Sequence, residues 1–420
     1  MQAQDKFDVV IVGGGLAGLS LTARLAKSGL KVACIDTQDP QKALEASFDG
    51  RTTAVSWASQ KMLDQAGVWE HLQEFAAPIR DIQILDGDSP VLLEFFSEEV
   101  GGKTFGWILE NRLIRKALYE TIATYDLATL IAPEMVADFS VSKTNAKTIL
   151  KNGRTLTSAL IVGADGRGSI VRRFMDIPTR SWSYRQQAIV CNVIHENPHC
   201  DIAVENFRSE GPFAVLPMCD DEQGRHRSSV VWTIHAKTKD TPLQWDIPTF
   251  NAALNERFPD FYGAVELTGE RFTYPLGLLH AYDYTGPRMV LVAEAAHGMH
   301  PIAGQGLNIG FRDIAVLTEL LEEAHAKKQD LGHKDLLDIY QRKRRIDTMA
   351  MMAATDTLNK LFSNNLPFVG PLRRAGLRLV SRVSPAKHFF MKQAMGAAGI
   401  IPSLLQDNDQ ETHKSSAKKA

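Results

Sequence analysis

The chain has 420 residues, room for two or three domains or one large composite unit. Its apolar fraction of 44% and charged fraction of 23% are ordinary for a globular protein, and a net charge of -2 excludes a global field drawing it to nucleic acid, so no nucleic-acid partner is expected. Cys34, Cys191, Cys200 and Cys219 form no CxxC pair and no zinc pattern with histidine, which predicts reduced cytoplasmic thiols and excludes a disulfide framework.

Residues 7–12, Phe-Asp-Val-Val-Ile-Val, predict a strand of the kind buried in a parallel sheet. A helix over 16–28 and a strand over 31–36 complete a βαβ unit. The uncharged run from Val9 to Thr22 is too short and too rich in Gly to span a bilayer. No signal peptide is expected, because the first strand begins by Asp8. Residues 79–109 and 182–275 have a different texture of short alternating strands, as in 189–194 and 229–234, and predict a mostly antiparallel sheet. Two more apolar strands end in Gly-rich or small-residue turns: 160–162 before Gly163-Ala164-Asp165-Gly166, and 289–292 before the segment 293–310. Three such strands spread along the chain predict one discontinuous nucleotide-binding domain, with its ligand outside the carboxyl ends of the strands. The predicted division is 1–78, 110–181 and 276–345 for that α/β Rossmann-like domain, 79–109 and 182–275 for an inserted antiparallel β-sheet domain, 346–405 for a helical C-terminal segment, and 406–420 for a disordered tail.

That C-terminal segment has no Asp or Glu from Thr357 to Gln406, but it carries seven Lys and Arg. Arg374, Arg378 and Arg382 share one helix face, with Leu372, Ala375, Leu379 and Val383 on the other. A basic amphipathic helix fits an anionic membrane surface or a partner protein. A helical cap packed on its own protein fits the same pattern.

Gly13-Gly14-Gly15-Leu16-Ala17-Gly18 matches G-x-G-x-x-G between a strand and a helix. Gly13 allows the tight turn, Gly15 the close approach of a pyrophosphate, and Gly18 close packing of helix on strand. Asp36 ends the next strand, where a carboxylate can accept hydrogen bonds from a ribose. This motif does not distinguish FAD from NAD. The second loop, Ala293-Glu294-Ala295-Ala296-His297-Gly298-Met299-His300-Pro301-Ile302-Ala303-Gly304-Gln305-Gly306-Leu307-Asn308, brings backbone close to a flat polar ligand and then starts a helix at Leu307-Asn308. Together the two loops point to a flavin. Arg51 and Arg112 begin or precede helices and could reach phosphate or a flavin edge; a solvated arginine is the plain alternative. Asp165 reads as an Asx turn, and His297 and His300 as loop histidines without the third ligand that zinc needs, so no metal is expected.

These motifs, in this order, resemble class A flavin-dependent aromatic hydroxylases, and most of all the ubiquinone-biosynthesis hydroxylases of the 2-polyprenyl-6-methoxyphenol hydroxylase type. The matching stretches are Gly13 to Asp36, Asp49 to Ala54, Gly163 to Gly166 with Ser169 and Arg172, the 292–310 segment, Ala203 to Phe207 with Gly211 to Pro217, and Pro371 to Gly396. The resemblance implies a para-hydroxybenzoate-hydroxylase-like fold and FAD held by Gly13, Gly15, Leu16, Ala17, Gly18, Asp36, Arg51, Arg112, Asp165, Glu294, Pro301, Gly304, Gln305, Gly306, Leu307 and Asn308. It implies transient NAD(P)H, molecular oxygen, a flavin C4a-hydroperoxide, and a polyprenyl phenol as substrate. It also implies a cytoplasmic protein peripheral to the inner face of the membrane, or bound to a quinone-biosynthesis complex. No motif names the group that activates the phenol. One departure stands out: the family's Gly-Asp is Ala293-Glu294 here, which leaves open preserved, weakened or lost FAD binding. The alternatives are a non-hydroxylating flavin oxidoreductase on a prenyl substrate and a non-catalytic subunit of a quinone-biosynthesis complex.

Overall fold

A computed structural model describes residues 5–45, 50–238, 241–300, 304–362, 369–399 and 401–406. The three strands ending in Gly-rich or small-residue turns lie side by side. Asp5–Val12 pairs in parallel with Thr155–Gly163 on one side and Val32–Ile35 on the other. Met289–Leu291 and Ala128–Ile131 extend the parallel sheet at its two sides. Val9, Val10, Ile11, Leu160, Ile161 and Val162 are wholly buried, as β-branched and Leu side chains covered on both sheet faces must be. The helix Leu16–Lys27 covers one face of this sheet, and the helix Gln305–Ala326 packs beside it.

A second sheet runs in the order His297–Gly298, Val265–Ala281, Thr179–His195, His226–His235, Gly211–Met218, Ile202–Arg208, Asp81–Asp86, Leu93–Phe96. Its pairings are antiparallel except that of Ile202–Arg208 with Asp81–Asp86. Its edge strand is part of the second Gly-rich loop, so the two sheets share that loop. A small third sheet joins Thr52–Ser56, Gly106–Glu110 and Ala77–Ile79, so the end of the 79–109 stretch pairs with residues beside Arg51 rather than with the second sheet.

The C-terminal segment is helical, as Val369–Arg382 and Ser384–Ala394. One helix, Lys334–Phe362, runs without a break through residue 345, where the sequence suggests a division. The Val369–Arg382 helix packs through Leu377 and Val380, and Arg373 is buried against Asp86. Leu379, 62% exposed, faces outward with Arg378 and Arg382. The expected separation into a packed apolar face and a solvated basic face is therefore replaced by an outer surface that is both. All of the predicted tail except Gln406 lies outside the described residues. All four cysteines are free thiols.

Candidate functional site

The Gly-rich turns converge at the carboxyl ends of the parallel strands. Gly13 adopts φ +105°, which favours glycine, and a Cβ there would lie 2.6 Å from the Ala164 carbonyl carbon. Gly18 sits against the Gly13 carbonyl so closely that no side chain fits, which gives it the packing role expected. Gly14 N–H donates to the Asp36 carboxylate at the end of the second strand. The helix Leu16–Lys27 starts at Gly15 with no side-chain cap and no acid in its first turn, and nothing lies within 4 Å of a Cβ built on Gly15. Its unpaired N–H groups and positive dipole end thus open into free space, as an anion site requires.

That space is a groove of about 620 Å³, within the range of small-molecule sites. Gly13, Gly15, Leu16, Ala17 and Asp36 line one part, Asp165 and Glu294 another, and Arg51, Gly306 and Leu307 a third. Asp165 does more than make a local turn. Its Oδ2 accepts from Ile170 N at 2.6 Å and Val171 N at 3.3 Å, while its buried Oδ1 has no partner. A buried, unsatisfied carboxylate oxygen is costly unless a ligand hydroxyl donates to it. Arg172 is buried and donates to Ala295 O and Arg167 O, both at 2.6 Å, tying the Asp165 turn to the second loop.

The second loop is held from below. Asp313, fully buried in the helix Gln305–Ala326, accepts from Ala293 N at 2.9 Å and from His297 Nε2 at 2.6 Å, and pairs with Arg344 Nε at 2.6 Å. Burial opposes ionisation of Asp313, yet His297 and Arg344 together hold its carboxyl below the usual range. His297 and His300 are both buried, so these loop histidines are interior groups. Burial lowers the His300 imidazole to about 4, which keeps it neutral near pH 7. The helix begins at Gln305, two residues before the expected start, with Gly304 in the left-handed region at φ +63°. Gln305 is buried, while Gly306 has open space around it. Asn308 is a cross-link: Nδ2 donates to Ala54 O at 2.8 Å and Gly304 O at 2.9 Å, and Oδ1 accepts from Ser56 N at 3.0 Å. Pro301 lies outside the described residues. Glu294, 60% exposed, projects at the groove and meets Arg167 Nε at 3.3 Å.

Arg51 lines the groove, with its guanidinium over the Tyr274 ring at 4.4 Å. Arg112 does not line it. Its side chain, 45% exposed, turns to Glu110, with Nε–Oε2 at 2.6 Å. The same helix sends Asn111 and Arg115 to the groove instead. The sequence reading missed both, as it missed Asp313; an acid within the largely apolar run 309–317 of its helix is the signal for the last.

Open space at Gly15 and Gly306, the uncapped helix start and the orphaned Asp165 oxygen all fit a dinucleotide that carries hydroxyls beside a pyrophosphate. The FAD binding domain family matches residues 6–355. The chain belongs to that family. It is an FAD-dependent aromatic monooxygenase, and it falls among the ubiquinone-biosynthesis hydroxylases. It is 42% identical over 395 residues to the ubiquinone hydroxylase UbiL of Rhodospirillum rubrum, covering 94% of this chain and 91% of that protein. It is 30% identical over 392 residues to the 3-demethoxyubiquinol 3-hydroxylase of Escherichia coli, covering 93% and 98%. The p-nitrophenol 4-monooxygenase PnpA of Pseudomonas putida shares the fold, with a TM-score of 0.76 at 18% identity over 94% of this chain and all of that one.

Proposed function

We propose that this protein hydroxylates the ring of a polyprenyl phenol in ubiquinone biosynthesis, with molecular oxygen and FAD reduced by NAD(P)H. The carrying observation is an apolar layer beside the second Gly-rich loop. Ala203 and Met218 of the second sheet, Phe95 and Phe105, Met391 of the last helix and Met395 just after it form one cluster, and Ala54 packs against it. Ala54 is also the residue whose carbonyl Asn308 holds. A prenyl chain is stabilised by leaving water for such a layer, at about 0.8 kcal/mol per buried CH₂. The named activities of the relatives support the same substrate class.

When bound, FAD supplies the activation of oxygen and its transfer to the ring. The chain's own part is binding and orientation. Gly13, Gly15, Leu16, Ala17 and Gly18 would cradle the pyrophosphate, and Asp36, Asp165 and Glu294 would accept hydrogen bonds from the cofactor's hydroxyls. Gly304 to Asn308, with Pro301, would border the flavin ring, and the amides at the helix start would favour negative charge there. Residues 1–78, 110–181 and 276–345 would form the cofactor domain, and 79–109 with 182–275 the substrate domain. No helix among the described residues is long and apolar enough to cross a membrane. The substrate's tail sits in a bilayer, and Leu379, Val383, Phe389 and Phe390 are exposed beside Arg378 and Arg382. We assign this surface to peripheral contact with an anionic bilayer, where apolar groups insert and arginines meet headgroups.

The test is a mass-spectrometric profile of quinone precursors in cells lacking the protein. Accumulation of a prenylated ring short of one hydroxyl is expected. A normal profile in cells without a related hydroxylase would refute the reading.

A further inference from the structure

The carboxylates of the described groove are assigned to the cofactor, and none of them to the proton of the phenol. The second sheet contains a further carboxyl. Along Ile202–Arg208 the side chains alternate, so Ala203, Glu205 and Phe207 share a face. Ala203 lies in the apolar cluster below the second Gly-rich loop, and Phe207 stacks on Phe362 with ring centroids 3.8 Å apart. Glu205 stands opposite Ile84 on one side and Ala214 on the other. Ile84 and Leu216, the next residue of the Gly211–Met218 strand on that face, pack on the same cluster as Ala54. An acid therefore sits within an apolar strip that leads to the Ala54 and Gly304 contact of the flavin loop.

Its surroundings are those of a working carboxyl rather than of a structural ion pair. Glu205 is partly buried and keeps some accessible surface. Burial pushes its carboxyl up to about 7, and no neighbouring charge offsets that. The charges on the elements packed here are already paired. Asp86 is held by Arg373 and Arg374, Glu110 by Arg112 and Arg227, and Asp356 by Lys360.

We propose that Glu205 is the catalytic base of the hydroxylation, taking the proton of the substrate's ring hydroxyl. This rests on the reading of the protein as a phenol hydroxylase. The O–H bond breaks toward a Glu205 oxygen, and the freed electron pair pushes into the ring as the ring carbon forms its bond to the incoming oxygen atom and the O–O bond breaks, its electron pair leaving with the second oxygen atom. Molecular oxygen supplies that atom, and NAD(P)H supplies the two electrons that carry the second oxygen atom to water. Glu205 then returns its proton to the ring oxygen as the attacked carbon releases its hydrogen as a proton and aromaticity is restored. A base poised near pH 7 combines the ionised form with useful basicity, and such groups contribute about 100-fold or more in rate.

The experiment compares the wild-type holoenzyme with Glu205→Gln and Glu205→Asp, using a short-chain prenylated phenol, NAD(P)H and oxygen. Expected for Glu205→Gln are unchanged flavin content, unchanged melting, and kcat for hydroxylated product lower by about 100-fold. The rise of wild-type kcat through pH 7 should flatten. A fluorinated phenol already ionised at the working pH should restore most of the rate. Glu205→Asp should keep the pH limb at a lower rate, which decides the matter even if the Gln variant folds poorly. Wild-type kcat and pH profile in Glu205→Gln, or no rescue by the acidic phenol, would overturn the proposal while leaving the hydroxylase reading intact. A wild-type enzyme that hydroxylates no phenol would instead remove the reading on which it rests.

Discussion

Removing the Asp313 carboxylate should loosen the floor of the second Gly-rich loop more than any surface change. Asp313 accepts from Ala293 N and His297 and pairs with Arg344, and all of these groups are buried. Asp313→Leu leaves a buried amide and a buried imidazole without this acceptor, and a buried guanidinium with Asp347, at 2.6 Å, as its remaining carboxylate and Thr348 Oγ1 at 3.5 Å. Breaking a buried pair costs about 3–5 kcal/mol, and the remaining Asp347 contact puts the loss near the lower end. Arg344→Met should cost a similar amount, because Asp313 then keeps only His297 and the amide. The double variant Asp313→Leu with Arg344→Met should lose less than the sum of the two, because no charge is stranded. Urea unfolding of the holoprotein, followed by tryptophan and flavin fluorescence together, measures all three. Strictly additive losses, or a neutral Asp313→Leu, would refute the account.

The same group gives the pH dependence a sign. The folded-state carboxyl of Asp313 lies below its ordinary value. Its contribution is therefore fully present above the unfolded value, near 3.9, and is lost as pH falls through the folded one. Asp313→Leu should abolish that part of the acid sensitivity.

Flavin content should separate the groove from its neighbourhood. Gly15→Arg fills space that is open at present and should strip the flavin, whereas Arg112→Ala should retain it, since Arg112 points to Glu110. The absorbance ratio of purified protein at 450 and 280 nm reads both, and flavin loss in Arg112→Ala would mean that the arginine swings into the groove. The pair Leu379→Asp and Phe389→Asp should weaken sedimentation with anionic liposomes at least tenfold without changing the fold, because both side chains are exposed at 62% and 58%. Unchanged sedimentation would count against bilayer contact through this surface.

Features set by local spacing were legible in the sequence. Gly13, Gly15 and Gly18 act at fixed offsets from a strand end, and the three strands that end in such turns proved to be neighbours in one sheet. Features set by the rotation of an element were not. Arg112 and Arg115 lie on one helix, and which of them meets the groove depends on how Ile114, Leu118 and Ile122 seat that helix. Leu379 and Val383 look like a packing face by periodicity, but the contacts go to Leu377 and Val380. The Asp313–Arg344 pair joins two helices through side chains 31 positions apart, beyond any local pattern. Glu205 was within reach: strand alternation alone places it between Ala203 and Phe207, and an acid flanked by apolar groups on a buried face is a signal in itself.

The Ala293-Glu294 departure is better explained by geometry than by decay of the site. Ala293 adopts φ +51°, the left-handed conformation for which glycine is the natural choice, at a cost of about 1–2 kcal/mol. Its methyl is buried against Gly310, where an added Cβ would lie 2.9 Å away, so the methyl is tolerated because residue 310 has none. Glu294 keeps a carboxylate at the groove, and Arg167 meets it there. Ala293→Gly relieves the strain but gives up a buried methyl and gains unfolded-state freedom, each worth about 1 kcal/mol. Stability should then change by less than about 1 kcal/mol, with flavin retained. Loss of flavin in Ala293→Gly would show instead that the loop depends on the methyl for its shape. Glu294→Gln would then be the variant that separates shape from charge.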